Sequence, residues 1–333
     1  MNISPAIPLL LKAALDAAPK RLAIINTEAH PLLPELTQQA DDYCLSQTFK
    51  PTILELKALG LTTSEIQGQF DLVLLLPSKD KKQTLGWMAQ AFAHVSDGGK
   101  VMVACENQYG AKSYESALKK LAGSVAATSK AKCRLFSSKK TSSLDIVLQQ
   151  QWLDEARPKV VESHDLWAQA GLFSWKKADV GSQLLLQYVP ELSGKVMDLC
   201  CGYGLLAAHI IKTSPNMTHL SLVEADSLAL DCAAKNTAAF ADVSLYHLDA
   251  AHELLSKHMN AVVCNPPFHT GQSRDVKLGQ TIVNKACGAL THGGELYLVA
   301  NRQLPYEHIL KEHLREVQCL AAQDGFKVIR GKK

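Results

Sequence analysis

Residues 196–206 constrain the fold of this chain more than any other stretch. The stretch begins as an apolar run, typical of a buried parallel strand, and continues through an acid, Asp198, into a turn that contains Gly202 and Gly204. Residues 205–212 then predict a helix. Glycine permits a tight turn and lets a ligand approach the free N–H groups of a helix start. The stretch therefore predicts an open α/β sheet with a nucleotide-type cofactor site.

A second acid supports this interpretation. An apolar strand is predicted at residues 219–223, and Glu224 follows at the strand end, where an acid bonds the ribose hydroxyls of a dinucleotide or similar cofactor. Ala207 stands at the third glycine position of a dinucleotide fingerprint, which sometimes accepts alanine. Asp198 favours a different cofactor, because a carboxylate before the turn repels a pyrophosphate and attracts the ammonium of a methionine.

At this turn the chain resembles the class I S-adenosylmethionine-dependent methyltransferases. Their motif is an acid followed by three alternating glycines, and the chain matches it except that Cys200 stands at the first glycine. The resemblance implies S-adenosylmethionine as the cofactor. A cysteine in place of this glycine limits how tightly the backbone can turn at position 200.

A second apolar run ends in Asn265-Pro266-Pro267-Phe268. Ligands of open α/β sheets bind at the carboxyl ends of strands, so we expect the substrate at this turn. Methyltransferases with an Asn-Pro-Pro-aromatic turn act on nitrogen attached to a conjugated system, either a base amine or a glutamine amide. Such a nitrogen is a poor nucleophile, and the site must orient it and accept its hydrogens. The Asn265 side-chain oxygen and the Pro266 carbonyl suit that role, and Phe268 offers a stacking face.

The segment before the first catalytic strand, residues 151–178, is predicted to be a linker and lid. In methyltransferases this region folds over the methyl-donor end of the cofactor. Phe173, Asp179, Gly181 and Ser182 are therefore candidate residues of a lid or methionine pocket. Asp179 also suits the N-cap of a helix that begins near Gly181, and a hairpin followed by a capped helix explains it equally well.

The first 150 residues repeat the order of elements of the second half, which indicates a second, mostly parallel α/β domain. We predict helices at 6–17, 34–41, 82–95 and 114–121, and strands at 21–25, 71–76, 100–105 and 132–136. Residues 26–31, which follow the first strand, contain no glycine. We therefore predict that domain 1–150 is a degenerate copy that supports the protein or docks RNA, and that 179–333 is the catalytic domain.

Length and composition limit the number of domains and the kinds of partner that the chain can have. A chain of 333 residues exceeds one comfortable core, and its 47% hydrophobic and 20% charged residues are ordinary for a globular protein. A net charge of +3 does not by itself indicate nucleic-acid binding. The nine cysteines lack Cys-x-x-Cys spacing, so we expect reduced thiols and no metal. No stretch approaches the ~20 apolar residues of a membrane span, and we expect a cytoplasmic monomer.

Over nearly its full length the chain resembles the ribosomal RNA small subunit methyltransferase C family. The amino half matches by plan, and the carboxyl half matches by motif at residues 179–186, 265–269, 299–306 and 326–328. The resemblance implies two tandem Rossmann-like methyltransferase domains, the first degenerate. It also implies methyl transfer from S-adenosylmethionine to N2 of a guanine in 16S ribosomal RNA, on naked RNA or in the ribosomal subunit. A sister family that methylates guanine N2 in large-subunit RNA shares the Asn-Pro-Pro-Phe-His turn.

The resemblance also assigns roles to individual residues. Those expected to hold the cofactor are Asp198, Gly202 and Gly204 at the methionine, Glu224 at the ribose, and Asp249 at the adenine amine, besides Asp179 and Ser182. Those expected to hold the guanine are Asn265, Pro266 and Phe268, with Pro267, His269, Asn301, Tyr306 and Lys327 as further substrate contacts.

Two other functions compete with this one. A protein glutamine methyltransferase also uses Asn-Pro-Pro, but it usually has Tyr at position 268 and a small helical amino-terminal domain. A non-enzymatic RNA-binding or assembly protein is the second alternative. The intact Asn265 and Glu224 oppose it.

Overall fold

The computed structural model describes residues 4–267, 269–270, 273–274 and 276–333, the side chains of 269–270 and 273–274 excepted. The chain forms two compact units, Met1–Arg157 and Pro158–Lys333. The predicted boundary at residue 150 falls inside a helix, Ile146–Ala156, which belongs to the first unit. There Trp152 packs in the core and the Gln149 side chain donates to the carbonyl of Ala89 at 2.9 Å.

The first unit is built around a mixed six-stranded sheet in the order β2-β1-β3-β4-β6-β5, with β6 antiparallel to both of its neighbours. Its elements are α1 (Ala6–Ala17), β1 (Arg21–Ile25), α2 (Leu33–Gln39), β2 (Asp42–Ser46), α3 (Lys50–Ala58), β3 (Phe70–Leu75), α4 (Lys81–His94), β4 (Val95–Glu106), α5 (Ala111–Ala122), β5 (Ala126–Lys130), β6 (Cys133–Lys139) and α6 (Ile146–Ala156). Every predicted helix and strand of this unit is present. Sequence periodicity missed β2, α3, β5 and α6.

The second unit has a seven-stranded sheet in the order β11-β10-β9-β12-β15-β17-β16, in which β17 runs antiparallel between β15 and β16. Its elements are β7 (Lys159–Val161), β8 (Leu166–Ala168), α7 (Val180–Leu186), β9 (Ser193–Leu199), α8 (Leu205–Thr213), β10 (Asn216–Glu224), α9 (Ser227–Asn236), β11 (Val243–His247), β12 (Met259–Cys264), β13 (His269–Thr270), β14 (Ser273–Arg274), α10 (Val276–Ala289), β15 (Leu290–Asn301), α11 (Tyr306–His313), β16 (Glu316–Gln323) and β17 (Phe326–Lys332).

The two sheets share one topology, which explains the repeat seen in the sequence. In each, the first strand lies between two parallel strands, β2 and β3 around β1 and β10 and β12 around β9, and each sheet ends in an antiparallel pair. Only the second unit has the outer strand β11. Two mixed α/β sheets of this kind confirm the predicted fold class.

The central strand β9 is buried on both faces, as its apolar sequence predicts. Met197 and Leu199 lie in one hydrophobic cluster, and Val196 lies in the cluster on the other side of the sheet. Leu199 pairs with Val223 of β10 and with Cys264 of β12. The ends of three neighbouring strands therefore lie at one edge of the sheet, where the chain order reverses and ligands bind in open α/β folds.

Residues 158–178 are more than the linker that the sequence predicts. β7 and β8 form an antiparallel hairpin, and Ala168 and Trp175 pack in one cluster with Tyr203 and Cys232. The Asn236 side chain accepts from the backbone N–H of Trp167 at 2.7 Å and donates to its carbonyl at 2.8 Å. The hairpin is thus part of the second unit.

Within the described part of the chain, no three His, Cys, Asp or Glu side chains are grouped to hold a metal ion. The same residues include no helix both long enough and apolar enough to cross a membrane.

Tyr306, predicted to contact the substrate, lies instead in the core beneath α10 and α11. Its side chain has 0% exposure, and burial raises the pKa of its hydroxyl to about 12. That hydroxyl has no hydrogen-bond partner among the described residues. It points at the backbone of Gly279 in α10, where an added Cβ would collide with the oxygen. A glycine in mid-helix is therefore required by the tyrosine.

This pair predicts a non-additive stability cycle. Gly279→Ala should destabilise the protein by about 1 to 3 kcal/mol through overpacking. Tyr306→Phe should stabilise it by about 1 kcal/mol, because it removes an unsatisfied buried hydroxyl. In the double variant the alanine meets no hydroxyl, so its cost should be smaller, although the ring carbon Cζ still lies 2.9 Å from the added Cβ. Denaturant unfolding measures all four proteins, and additive effects would contradict the proposed contact.

Candidate active site

Asp198 lies on β9 one residue before the strand ends, with 0% exposure. Its Oδ2 accepts the backbone N–H of Ala207, in the first turn of α8, at 3.0 Å. Its Oδ1 has no hydrogen-bond partner within the described ranges. Burial, with the negative charge of Glu224 adding to it, raises the pKa of Asp198 to about 7. An unpartnered buried carboxylate oxygen of this kind fits a cationic donor.

The turn after β9 has the shape that its glycines predict. Cys200, Gly202 and Gly204 all have left-handed backbones, with φ of 62°, 55° and 85°. A Cβ on Gly204 would lie 3.1 Å from the backbone of Ala233, so α9 packs closely against the turn. Cys200 therefore adopts a left-handed conformation, which favours glycine, at the position where the family motif has glycine.

Glu224 joins this turn to the end of β10. Its carboxylate accepts the backbone N–H of Gly202 at 2.8 Å, of Ala225 at 2.8 Å and of Asp226 at 3.0 Å. Burial raises its pKa despite these bonds. The structure thus places Glu224 beside the glycine turn, with its carboxylate held in one orientation, and the ribose assignment stays a prediction.

Asp249 lies after β11 and shapes its own loop. Its Oδ1 accepts the backbone N–H of Ala251 at 3.0 Å, and its Oδ2 lies 2.7 Å from Nδ1 of His252. The backbone N–H of Asp249 donates to Glu253 at 2.8 Å. No sequence pattern indicates these partners, and the assignment of Asp249 to an adenine amine stays a prediction.

Asn265 follows β12 directly, so it lies at the carboxyl end of that strand, beside the end of β9. Its Nδ2 donates to Oδ2 of Asp179 at 2.9 Å and to Oγ of Ser182 at 2.8 Å. Pro266 is buried and Pro267 is exposed. The predicted contacts at Phe268 and at the side chain of His269 lie outside the described residues.

Asp179 is the N-cap of α7, as predicted, because its Oδ2 accepts the backbone N–H of Ser182 at 2.7 Å. Both residues were expected in the methionine pocket, and the structure brings them to Asn265. Gly181 between them leaves room for the ring of Phe326, which a Cβ would meet at 2.9 Å. The predicted lid residue Phe173 is 64% exposed.

Tyr203, between the two glycines of the turn, has a role that the sequence did not reveal. Its ring stacks on His164 with centroids 5.0 Å apart, and its hydroxyl is buried with no partner among the described residues. Burial, together with the charge of Asp179, raises its pKa to about 12. The stacking partner lies in the β7–β8 hairpin, so no local pattern marks the pair.

Lys327, predicted to contact the substrate, is 6% exposed and bound within the domain. Its Nζ donates to the carbonyl of Leu304 at 2.7 Å and to Glu307 at 2.6 Å. The predicted RNA contact is therefore wrong, because the ammonium is buried and already bound to a carbonyl and a carboxylate of the same unit. Asn301 ends β15 and is half-buried, and its substrate role stays a prediction.

Comparison with known proteins agrees with this geometry. The methyltransferase small domain model matches residues 163–330, and the model of its N-terminal domain matches residues 9–155. A ribosomal RNA small subunit methyltransferase C of Psychromonas ingrahamii is 28% identical over 315 residues, which cover 91% of this chain and 88% of the relative. The protein of that name in Alteromonas mediterranea is 31% identical over 262 residues, covering 78% and 72%.

The chain belongs to the ribosomal RNA small subunit methyltransferase C family. Its fold matches a T. thermophilus 16S rRNA N2-guanine methyltransferase, solved with AdoMet and guanosine, with a TM-score of 0.81 at 23% identity. That match covers 100% of this chain and 92% of the other. The family resemblance drawn from the motifs is confirmed.

The left-handed backbone of Cys200 predicts which substitutions the turn tolerates. Cys200→Gly should change the free energy of unfolding by less than about 1 kcal/mol, because relief of the left-handed strain offsets glycine's greater unfolded entropy. Cys200→Val should destabilise by more than about 2 kcal/mol, because a β-branched residue resists this conformation. Cys133→Val, at a buried cysteine of the extended strand β6, is the matched control and should cost less than about 1.5 kcal/mol. Equal losses for both valine variants would contradict the assignment.

Proposed function

We propose that this protein transfers a methyl group from S-adenosylmethionine to N2 of a guanine in 16S ribosomal RNA. One observation carries the proposal: an unpartnered buried carboxylate oxygen on β9 and an oriented amide after β12 lie at adjacent strand ends. The first suits a cationic cofactor, and the second suits a planar amine. The names of the relatives support ribosomal RNA of the small subunit as the substrate.

The residues present fit this cofactor. Oδ1 of Asp198 would bind the methionine ammonium, which supplies the donor that this oxygen lacks within the described chain. Glu224, held by N–H groups of the glycine turn and of its own turn, would bind the ribose hydroxyls, and Asp249 the adenine amine. When bound, the cofactor supplies an electrophilic methyl group on a sulfonium sulfur.

Asn265 and Pro266 would act on the substrate amine. Each offers a carbonyl oxygen that accepts a hydrogen from guanine N2 and thereby holds the amine in line. These bonds strengthen as the nitrogen gains positive charge, so they favour the transition state over the ground state. No titrating base is needed, and Phe268 would stack on the base.

The first unit would support the protein and dock RNA without binding cofactor. Strand register equates Ile24 with Asp198, since Ile24 pairs with Leu74 of β3 as Asp198 pairs with Val263 of β12. Two residues further along, Leu76 takes the place of Asn265. Both positions that carry the chemistry in the second unit are thus apolar in the first. We further propose that the protein acts as a cytoplasmic monomer.

Modification mapping tests the function. N2-methylguanine should be missing at one site of 16S ribosomal RNA in cells that lack the gene, and the parent gene should restore it. Asn265→Ala should not restore it, because loss of one preorganised acceptor lowers the rate by about a hundredfold to a thousandfold. Asn216→Ala, which removes an exposed amide bonded to Glu191 at 2.9 Å, is the control that restores it.

Other outcomes of the mapping would replace the proposal. A site lost only from 23S ribosomal RNA would assign the protein to large-subunit guanine methylation. If neither RNA loses a site, labelled-cofactor assays with release factors and ribosomal subunits distinguish a glutamine methyltransferase from a non-enzymatic RNA-binding protein.

Asp198 predicts how cofactor affinity depends on pH. Its folded pKa of about 7 means that it is partly protonated in the free protein at neutral pH. A bound ammonium requires the ionised form, so binding below pH 7 must release a proton. Affinity should therefore fall by up to about tenfold per pH unit as the pH drops below 7.

Calorimetry in buffers of different ionisation heat measures both the affinity and the released proton. The Asp198→Asn variant should bind the cofactor more weakly, and its residue 198 cannot titrate. Its affinity should therefore fall less steeply at low pH than that of the parent, with only the protonation of Glu224 still lowering it. The decline at high pH, where the cofactor's own amine loses its proton, should remain in both proteins. An unchanged low-pH slope in the variant would show that Asp198 does not meet the ammonium.

A further inference from the structure

Both acceptors of the Asn265 amide belong to the start of α7. Oδ2 of Asp179 accepts at 2.9 Å and Oγ of Ser182 at 2.8 Å, so both partners of Nδ2 come from one helix turn. The same Asp179 oxygen accepts the backbone N–H of Ser182 at 2.7 Å. A carboxylate has only acceptors, so as a carboxylate Asp179 can only accept from Asn265.

An amide can rotate by half a turn, which exchanges its oxygen and its nitrogen. In the flipped state Oδ1 of Asn265 would face Oδ2 of Asp179, acceptor against acceptor, and this state is disfavoured. Methyl transfer to an amine needs the opposite orientation, with Oδ1 free to accept from the substrate. The carboxylate therefore selects the amide orientation that the reaction requires.

We propose that Asp179, assisted by Ser182, is a positioning residue that fixes the Asn265 amide so that its oxygen faces the methylated amine. The proposal rests on the function proposed above and deepens it. The negative charge does more than hold the amide, because a donor bonded to a carboxylate polarises the amide and makes its oxygen a stronger acceptor. The N-cap of α7 and the side-chain amide of Asn265 thereby form one hydrogen-bonded unit.

Exchanging the two side chains tests the proposal. Asn265→Asp places two carboxylates face to face, so single-turnover methylation should fall about a hundredfold. Adding Asp179→Asn removes the repulsion between the two carboxylates. Because a single oxygen, Oδ2 of Asp179, makes both contacts, the new amide donates to position 265 only when its nitrogen replaces that oxygen and the bond to the N–H of Ser182 is given up. The double variant should recover at least tenfold over Asn265→Asp. If the two losses simply multiply, Asp179 does not orient Asn265.

A stability measurement gives a readout that does not depend on activity. In Asn265→Asp, like charges raise the folded pKa of one carboxyl, and the stability that its proton confers is lost as the pH rises through that pKa. Its melting temperature should therefore fall between pH 5 and pH 8 relative to the parent. The melting temperature of the double variant should depend on pH in the same way as that of the parent. If the melting temperatures of Asn265→Asp and the parent change with pH in parallel, the proposed contact between positions 179 and 265 is wrong.

Two further variants separate positioning from capping and from cofactor binding. Asp145→Asn changes the N-cap of α6, where Oδ1 accepts the N–H of Leu148 at 2.8 Å, and it should leave methylation unchanged. Ser182→Ala keeps Asp179 and should lose only about twofold to tenfold in rate, with cofactor affinity retained. A larger loss than in Asn265→Ala would contradict an assisting role. A parent that methylates no guanine would refute the proposed function, while the melting profiles still decide the contact.

Discussion

Burial of β9 on both faces is the constraint on which the rest of the catalytic unit depends. Its apolar side chains alternate between two hydrophobic clusters, which fixes its register against β10 and β12. A slip of one residue would move each side chain to the opposite face and expose the apolar set of one cluster to the wrong partners. Because the register is fixed, Asp198, Glu224 and Asn265 reach the same edge without any direct bond between them.

The cost of this arrangement falls on Asp198. Complete burial of a carboxylate with one unpartnered oxygen is unfavourable, and the raised pKa expresses that penalty. A cation at this oxygen would remove the penalty, so cofactor binding and the stability of the unit are coupled. The same edge also holds a left-handed non-glycine residue, Cys200. The unpartnered carboxylate oxygen thus lies at the strand end where a ligand would satisfy it.

Sequence patterns predicted the features that depend only on neighbouring residues. The apolar runs, the acid before the glycine turn and the capped start of α7 could be recognised from adjacent residues, and the structure has them where they were expected. Tertiary partners left no such signal. Asp179 and Asn265 are 86 positions apart, and nothing near either residue indicates the other. Lys327 looked like a basic tail residue because its acidic partner, Glu307, lies in a different element.

The repeat separates what the fold requires from what the chemistry requires. Register equates Asn26, which follows β1, with Cys200, which follows β9, and both have left-handed backbones, with φ of 57° and 62°. A left-handed residue at this point therefore turns the chain off the first strand in both units, with or without a cofactor. In the first unit the Asn26 side chain then donates to the carbonyl of Leu76 at 2.9 Å and ties the two strand ends together. What the second unit adds are the glycines at 202 and 204, which leave that edge open to a ligand, whereas residues 26–31 of the first unit contain no glycine.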